Sequence, residues 1–318
     1  ANLGYMGICV PEKYSGVGGN AIDSFIVYEE ISRVMSLLAW AMGNITLYGN
    51  EFILYNGNEA QRQYYLPKLV SAETKFAFAL TEPDAGSDAA SIKTNAVFRD
   101  GNYIINGNKM YITGAGVSDI VITAARTAES KYGGITLFMV DSKSEGYSAT
   151  PLSKLGYHGS NTCEVVYSDV KVSTENILGG PEGLNQGWDQ MMKLLNGERL
   201  ALSACALGIG QAALDDALQY AKRRIQFDQP IGKFQVIQHR LVEMATEMEA
   251  ARQLAYYAAW KESMHMECIK ETSMAKYFAT ETAKKCGRSS FWVSSPTTST
   301  PAVSASRASS ASESSSVR

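Results

Sequence analysis

The hydrophobic pattern changes period along the chain. Phe25, Tyr28, Ile31, Val34 and Leu38 recur at helical spacing behind Asp23, which can cap a helix, so a helix is predicted from Asp23 to Met42. A second, shorter one is predicted over Glu59 to Leu69. Residues 1–73 thus read as a helical domain. From Thr74 the runs shorten and take on strand character: Phe76 to Thr81, Tyr103 to Thr113, Ile120 to Ala125, Ile135 to Val140, Ala149 to Leu155 and Cys163 to Tyr167. Asp100-Gly101, Gly133-Gly134 and Ser144 to Gly146 punctuate them, and Asn106-Gly107 inside the second long run is a tight-turn signal. No ten-residue helical pattern intervenes, so residues 74–185 predict an antiparallel β-barrel or sandwich rather than a βαβ array.

Helical spacing returns at Trp188. Trp188 to Tyr220, Gln235 to Ala259 and Cys268 to Lys285 predict long helices, the second with a stripe of Val236, Ile237, Leu241, Met244, Met248, Ala251, Leu254 and Ala258. Such stripes pack as a bundle over residues 186–286, and their Met and aromatic positions read as core or subunit interface. Residues 287–318 change character. Serine, threonine and alanine dominate, a composition that cannot bury enough apolar area to offset ordering entropy, which predicts a disordered tail. The fold class expected is α+β: a helical domain, a β-domain and a helix bundle.

Composition narrows the function. The 318 residues are 45% hydrophobic with net charge −3, enough for a sizeable core and too near neutral to suggest nucleic acid as a partner. No apolar run is long enough for a membrane span. The five cysteines (Cys9, Cys163, Cys205, Cys268, Cys286) are scattered and read as thiols of a reducing compartment. His158, His239 and His265 have no metal-binding spacing, and neither a metal nor histidine catalysis is expected.

The candidate chemistry lies in two short runs. Phe78-Ala-Leu-Thr-Glu-Pro-Asp-Ala-Gly-Ser-Asp88 is a strand that stops at Pro83 and a turn of small, oxygen-bearing residues, where exposed amides and hydroxyls could meet an oxygen-rich ligand. Asn106-Gly-Asn-Lys-Met-Tyr-Ile-Thr-Gly114 follows. Taken alone, both fit an ordinary antiparallel domain with surface turns. Together, in this order and at this separation, they resemble the flavin-binding signature of the acyl-CoA dehydrogenase family, roughly TEP-x-x-GSD and then NG-x-K-x-[WFY]-I-[TS]. The resemblance implies FAD, with Phe78, Leu80, Thr81, Gly86, Ser87, Tyr111, Ile112 and Thr113 facing it; Tyr111 stands where many members have Trp, and either ring can stack. Arg224-Ile-Gln-Phe227 and Phe234-Gln235-Val-Ile-Gln238 resemble motifs whose Arg, Phe and first Gln touch the cofactor of a neighbouring subunit, which implies Arg224, Phe227 and Gln235 in that role and a homo-oligomer, dimer or tetramer. Asp228 departs from the family's usual Gly there.

The resemblance extends over most of residues 5–286. Val10-Pro-Glu-Lys-Tyr-Ser-Gly-Val-Gly-Gly19 is similar to a segment that in the family follows an earlier helical stretch, and the family's late glycine-rich and E-G-T-like segments have no counterpart. It implies that N- and C-terminal parts are lacking, and the tail is expected to be a reading-frame error or a cloning scar. Leu155 to Ser160 is similar to another family segment, in which His158 is expected to be a loop residue.

Dehydrogenating a thioester at its α,β bond needs a base for the α-proton, a flavin for the β-hydride and a hydrogen bond to the thioester oxygen. Glu198 lies between Met191, Met192, Leu194, Leu195 and Leu200, Ala201, Leu202; a carboxylate so flanked either faces solvent or is buried for a reason. Glu198-Arg199 is similar to the Glu-Arg pair that carries the base in isovaleryl- and long-chain-type members. The resemblance implies Glu198 as base and Ser87, Asn196 and Arg199 as contacts for the acyl-CoA substrate, with electrons passing to an electron-transfer flavoprotein. An acyl-CoA oxidase, an enoyl-CoA reductase or a flavin-free scaffold of the same fold remain alternatives. A cytoplasmic location is expected, or the mitochondrial matrix in a eukaryote.

Overall fold

The computed structural model describes residues 3–294. Two short 3-10 turns lead into helix α1 (Ala21–Ile45). Asn20, rather than Asp23, caps it: its side chain accepts the Ile22 N–H at 2.8 Å, and Asp23 takes the Asn20 N–H at 2.8 Å. The two residues satisfy each other's free donors, which puts the acidic one a turn inside the helix. The helical course does not end at Met42. It runs through a π-helical turn, Thr46–Glu51, into α2 (Phe52–Asn56), and α3 (Glu59–Val70) follows. Burial of Leu47, Phe52 and Ile53 outweighs the weak helix propensity of Gly43, Asn44, Gly49 and Asn50.

Seven strands make one sheet: β1 (Phe76–Ala79), β2 (Asn95–Arg99), β3 (Asn102–Thr113), β4 (Ile120–Arg126), β5 (Ile135–Asp141), β6 (Tyr147–Pro151) and β7 (Thr162–Ser173). The order is β1-β4-β2-β3-β7-β6, with β5 beside β4. Pairing is mostly antiparallel. β1 runs parallel to β4, and β2 meets β4 through one parallel bridge. β2 escapes the sequence pattern because Ala96 alone among its residues is buried. β6 stops at Pro151, which has no N–H to extend the ladder, short of the expected Leu155. Asn106-Gly107 does not turn the chain. β3 continues through it and absorbs the pair as a bulge opposite β7.

β4 and β5 read as unbroken apolar runs because both faces are covered. Ile122, Ala124, Leu137 and Met139 join a core with Leu66, Phe76 and Met191, while Val121, Ala125, Phe138 and Val140 join another with Ile105, Val165 and Tyr167. The first core draws together the N-terminal helices, the sheet and the first turns of α4 (Gly187–Arg223). Beyond α4 come a two-stranded hairpin, β8 (Ile225–Gln226) and β9 (Gln229–Pro230), then α5 (Gln235–Ser263) and α6 (Ile269–Ser294). Ala204, Leu207, Met248, Ala255 and Ala279 form a third core with Phe25 and Tyr28 of α1. α6 passes the break expected at residue 287, with Val293 still buried. The rest of the expected tail lies outside the described residues. No helix among the described residues is long and apolar enough to cross a membrane.

Candidate active site

A cavity of about 250 Å³ opens where the π-helical turn, the ends of β1 and β3 and the first turns of α4 converge. Phe78, Leu80 and Thr81 reach it from β1 and its continuation, and Tyr111, Ile112 and Thr113 from β3. α4 supplies Met191, Met192, Leu194, Leu195 and Glu198, which recur at helical spacing on one side of that helix. The opposite wall is Trp40, Leu47, Tyr48, Glu51 and Phe52. The structure thus brings together Glu198 and six of the residues expected to face a flavin.

The Tyr48 hydroxyl donates to Glu198 Oε1 at 3.2 Å. Burial pushes the Glu198 carboxyl above its ordinary range, against the opposing pull of the Tyr48 bond and of the Arg199 and Lys276 charges. Burial, then the Glu198 charge, hold the Tyr48 hydroxyl well above the usual phenol value, so it stays a donor. A second carboxyl shares the wall. Burial raises Glu51 to about 8, and the charges of Glu262 and Glu198 add to the effect.

Tyr111 sits at φ 63°, left-handed for a residue with a Cβ, at the second bulge of β3 between Lys109 and Ile112. The ring is 68% exposed while Ile112 beside it is buried. A bulge that re-aims a side chain at the cost of backbone strain is common beside functional sites. Thr81 has no hydrogen-bond partner for its hydroxyl among the described residues, and it lines the same cavity. An exposed aromatic face, a free hydroxyl and apolar Leu80 and Ile112 fit a flat heterocycle with polar edges, such as a flavin ring.

The strand ends are held by a pair that the sequence reading passed over. Lys109, fully buried, places its Nζ 2.8 Å from Glu82 Oε1 and 3.0 Å from the Leu80 carbonyl. Glu82 also accepts the backbone N–H groups of Lys93 and Thr94 at 2.6 and 3.0 Å. Burial alone would raise this carboxyl; the Lys109 ammonium and those bonds outweigh it and hold it low. Each motif carries one partner, Glu82 in the first and Lys109 in the second, but nothing in either run marks the pairing. Tyr48 and Glu51 offered no signal, since the turn that carries them was not predicted as helical.

Other expected residues lie away from the cavity wall. Gly86 and Ser87 are exposed in the loop after β1, which Lys93–Asp84 and Lys131–Asp88 pairs hold at 3.1 and 3.2 Å. Asn196 and Arg199 do not share the Glu198 face, being two and one residues from it on a helix. Asn196 Oδ1 instead accepts from Arg199 at 3.4 Å and from Thr272 at 3.2 Å. Met191, expected as core or interface, belongs to the first core and also lines the cavity, as does the exposed Met192. Arg224, Phe227 and Gln235 are exposed on the β8–β9 hairpin and the start of α5. Phe227 and Asp228 both take left-handed φ, 49° and 59°, and form the two-residue turn of that hairpin, where a Gly or an Asp serves. His158 is an exposed loop residue.

A sheet packed against helical layers, with a half-buried carboxyl facing two strand ends across a cavity, fits an enzyme of the flavin-dependent redox class. Family models for the N-terminal, middle and C-terminal domains of acyl-CoA dehydrogenase match residues 1–73, 77–170 and 185–294. The chain belongs to the acyl-CoA dehydrogenase family of FAD-dependent oxidoreductases. It is 43% identical to an acyl-CoA dehydrogenase of Bacillus subtilis over 284 residues, covering 89% of this chain and 74% of the relative. It is 44% identical to a 3-(aryl)acrylate reductase of Clostridium sporogenes over 286 residues, 89% of this chain and 75% of the relative. The solved butyryl-CoA dehydrogenase of Megasphaera elsdenii superposes with a TM-score of 0.89 at 35% identity, over 92% of this chain and 78% of that one.

Proposed function

We propose that this protein is an acyl-CoA dehydrogenase that removes the α-proton of an acyl thioester with Glu198. The observation that carries the reading is the half-buried Glu198 carboxyl facing Leu80–Thr81 and Tyr111–Thr113 across one largely apolar cavity. FAD, when bound against those strand ends, supplies the acceptor for the β-hydride. Tyr111, Ile112, Leu80, Thr81 and Phe78 would hold its ring, with Thr113 beside them. Gly86 and Ser87 would meet it or the substrate from the loop, Asn196 and Arg199 the CoA portion from α4, and Arg224, Phe227 and Gln235 the cofactor of a neighbouring subunit in a dimer or tetramer.

Tyr48 fixes one oxygen of Glu198 and leaves Oε2 without a partner among the described residues, free to take the proton. Burial raises the carboxyl and so makes it a stronger base than an exposed glutamate, provided the pH keeps it ionised. The rate therefore rises with pH through that raised value. Leu47, Phe52, Met191 and Leu194 exclude water from an acyl chain. The electrons leave to an electron-transfer flavoprotein. The same proton and hydride positions serve the reverse reaction, and the similarity to a reductase supports reduction of an unsaturated thioester as the second reading. The free thiols fit a reducing compartment, the cytoplasm or, in a eukaryote, the mitochondrial matrix.

The test is the absorption spectrum of the FAD-loaded protein during anaerobic addition of acyl-CoA thioesters. Bleaching by saturated thioesters is expected, and Glu198→Gln should keep the flavin band but slow bleaching about a thousandfold. Equal bleaching by wild type and Glu198→Gln would remove Glu198 from the role of base. Re-oxidation by enoyl thioesters without bleaching by saturated ones would favour the reductase.

A further inference from the structure

Glu51 stands on a wall common to two cavities. It lines the inner cavity with Glu198, and it also lines an outer cavity of about 460 Å³. The outer one is bordered by Asn20, Ser24, Lys193, Glu262 and His265 and is more polar than the inner one. α4 gives way where the Glu51 side chain passes: a Cβ on Gly197 would lie 2.6 Å from Glu51 Oε2. Glu198, the next residue, faces the inner cavity, whereas Gly197 borders the outer. The Glu51 carboxyl thus marks the junction between the two.

That carboxyl has no hydrogen-bond or ion-pair partner among the described residues. The Glu262 carboxyl, across the outer cavity, accepts only from the Cys268 thiol among the described residues, at 2.8 Å. A half-buried polar group without a partner is costly unless a ligand or water completes it. The groups facing Glu51 are Tyr48 and Tyr55 from its own helical segment, Lys193 and Glu198 from α4, Glu262 from α5, and His265, Ser24 and Cys9.

We propose that Glu51 reads the far end of the acyl group, selecting thioesters whose chain carries an uncharged hydroxyl or amide to the junction of the two cavities. This rests on the thioester reading of the inner cavity. With its value near 8, Glu51 is mostly protonated at neutral pH and offers both an O–H donor and a carbonyl acceptor. A hydroxyl can meet both. A hydrocarbon end would leave the carboxyl stranded, and a carboxylate end would meet Glu198 and Glu262 as like charges.

The experiment compares saturated thioesters of matched length ending in methyl, hydroxyl, ammonium or carboxylate, using FAD-loaded wild type, Glu51→Gln and Glu51→Leu. Flavin bleaching gives kcat/KM, and calorimetry with unreactive thioether analogues gives affinity without turnover. At the length that reaches the junction, wild type should favour the hydroxyl over the methyl end by about tenfold in both measures. Glu51→Leu should abolish that preference, and Glu51→Gln, which keeps a donor and an acceptor, should retain most of it. An unchanged hydroxyl-to-methyl ratio in Glu51→Leu would overturn the proposal, as would a wild-type preference for the ammonium or carboxylate end. If some thioester bleaches the flavin but no hydroxyl preference appears, the selection fails and the dehydrogenase reading stands. If no thioester bleaches it, that reading fails, and the thioether affinities still decide the role of Glu51.

Discussion

Lys109 and Glu82 show how two side chains fix the candidate site. Both are buried, and their bonds tie the loop after β1 to the middle of β3, so the two strand ends that line the inner cavity move as one body. An uncompensated buried charge is worse than none, and Lys109→Met would leave Glu82 with backbone donors but no counter-ion. A loss of about 3–5 kcal/mol is expected in urea unfolding at neutral pH. The pH dependence has a definite sign. Glu82 is held low in the fold, so its contribution is present above the unfolded carboxylate value and lost as pH falls through the folded one. The gap between wild type and Lys109→Met should therefore narrow on acidification, and a gap that widens would refute the ion pair as its origin. The two motifs were readable as residues, because each of them is local. Their mutual grip was not, since nothing in one run says which charge in the other it meets across a sheet.

Among elements, α1 and α4 approach closely at Gly208. A Cβ on Gly208 would lie 2.3 Å from the Glu29 carbonyl oxygen and 2.7 Å from the Arg33 nitrogen, both backbone atoms that cannot rotate away. This contact carries α1 toward α4, and the π-helical turn that prolongs α1 brings Tyr48 to Glu198. For Gly208→Ala, helix propensity favours the variant by about 1 kcal/mol, and overpacking opposes it by about 1–3 kcal/mol. With backbone as the obstacle, the clash should win. The variant should melt lower than wild type and slow the Glu198-dependent bleaching of the flavin; a higher melting temperature would show that the helices separate freely. Stripes of apolar residues made α1, α4 and α5 legible to within a few residues, while α6 runs on to Ser294 instead of ending at Lys285. The π-helical turn was not legible, because Gly43, Asn44, Gly49 and Asn50 argue locally against any helix and only the burial of Leu47, Phe52 and Ile53 overrides them. Left-handed Tyr111 was hidden for a similar reason: a bulge is a choice made by the partner strand.

At the scale of the whole molecule, the inner cavity is chemically incomplete. Its lining includes no Lys or Arg, whereas FAD carries a pyrophosphate. Arg224 has no hydrogen-bond or ion-pair partner for its guanidinium among the described residues, and it stands on an exposed hairpin beside Phe227, which is 87% exposed. A forked cation and a large apolar ring held out together suit the phosphates and edge of a cofactor seated in another copy. Exposed Val236, Val242, Tyr257 and Trp260 along α5 offer apolar area for such an assembly. If the cofactor is shared, association and FAD retention are linked, because whatever binds the assembled state alone stabilises it. Sedimentation of the FAD-loaded protein should show more than one chain, with flavin released as dilution separates them. Arg224→Ala should weaken FAD binding by about tenfold or more, since a charge-assisted bond is lost, yet still associate when FAD is in excess. A single chain that keeps its flavin on dilution, or an Arg224→Ala variant with undiminished affinity, would mean that each chain completes its own site.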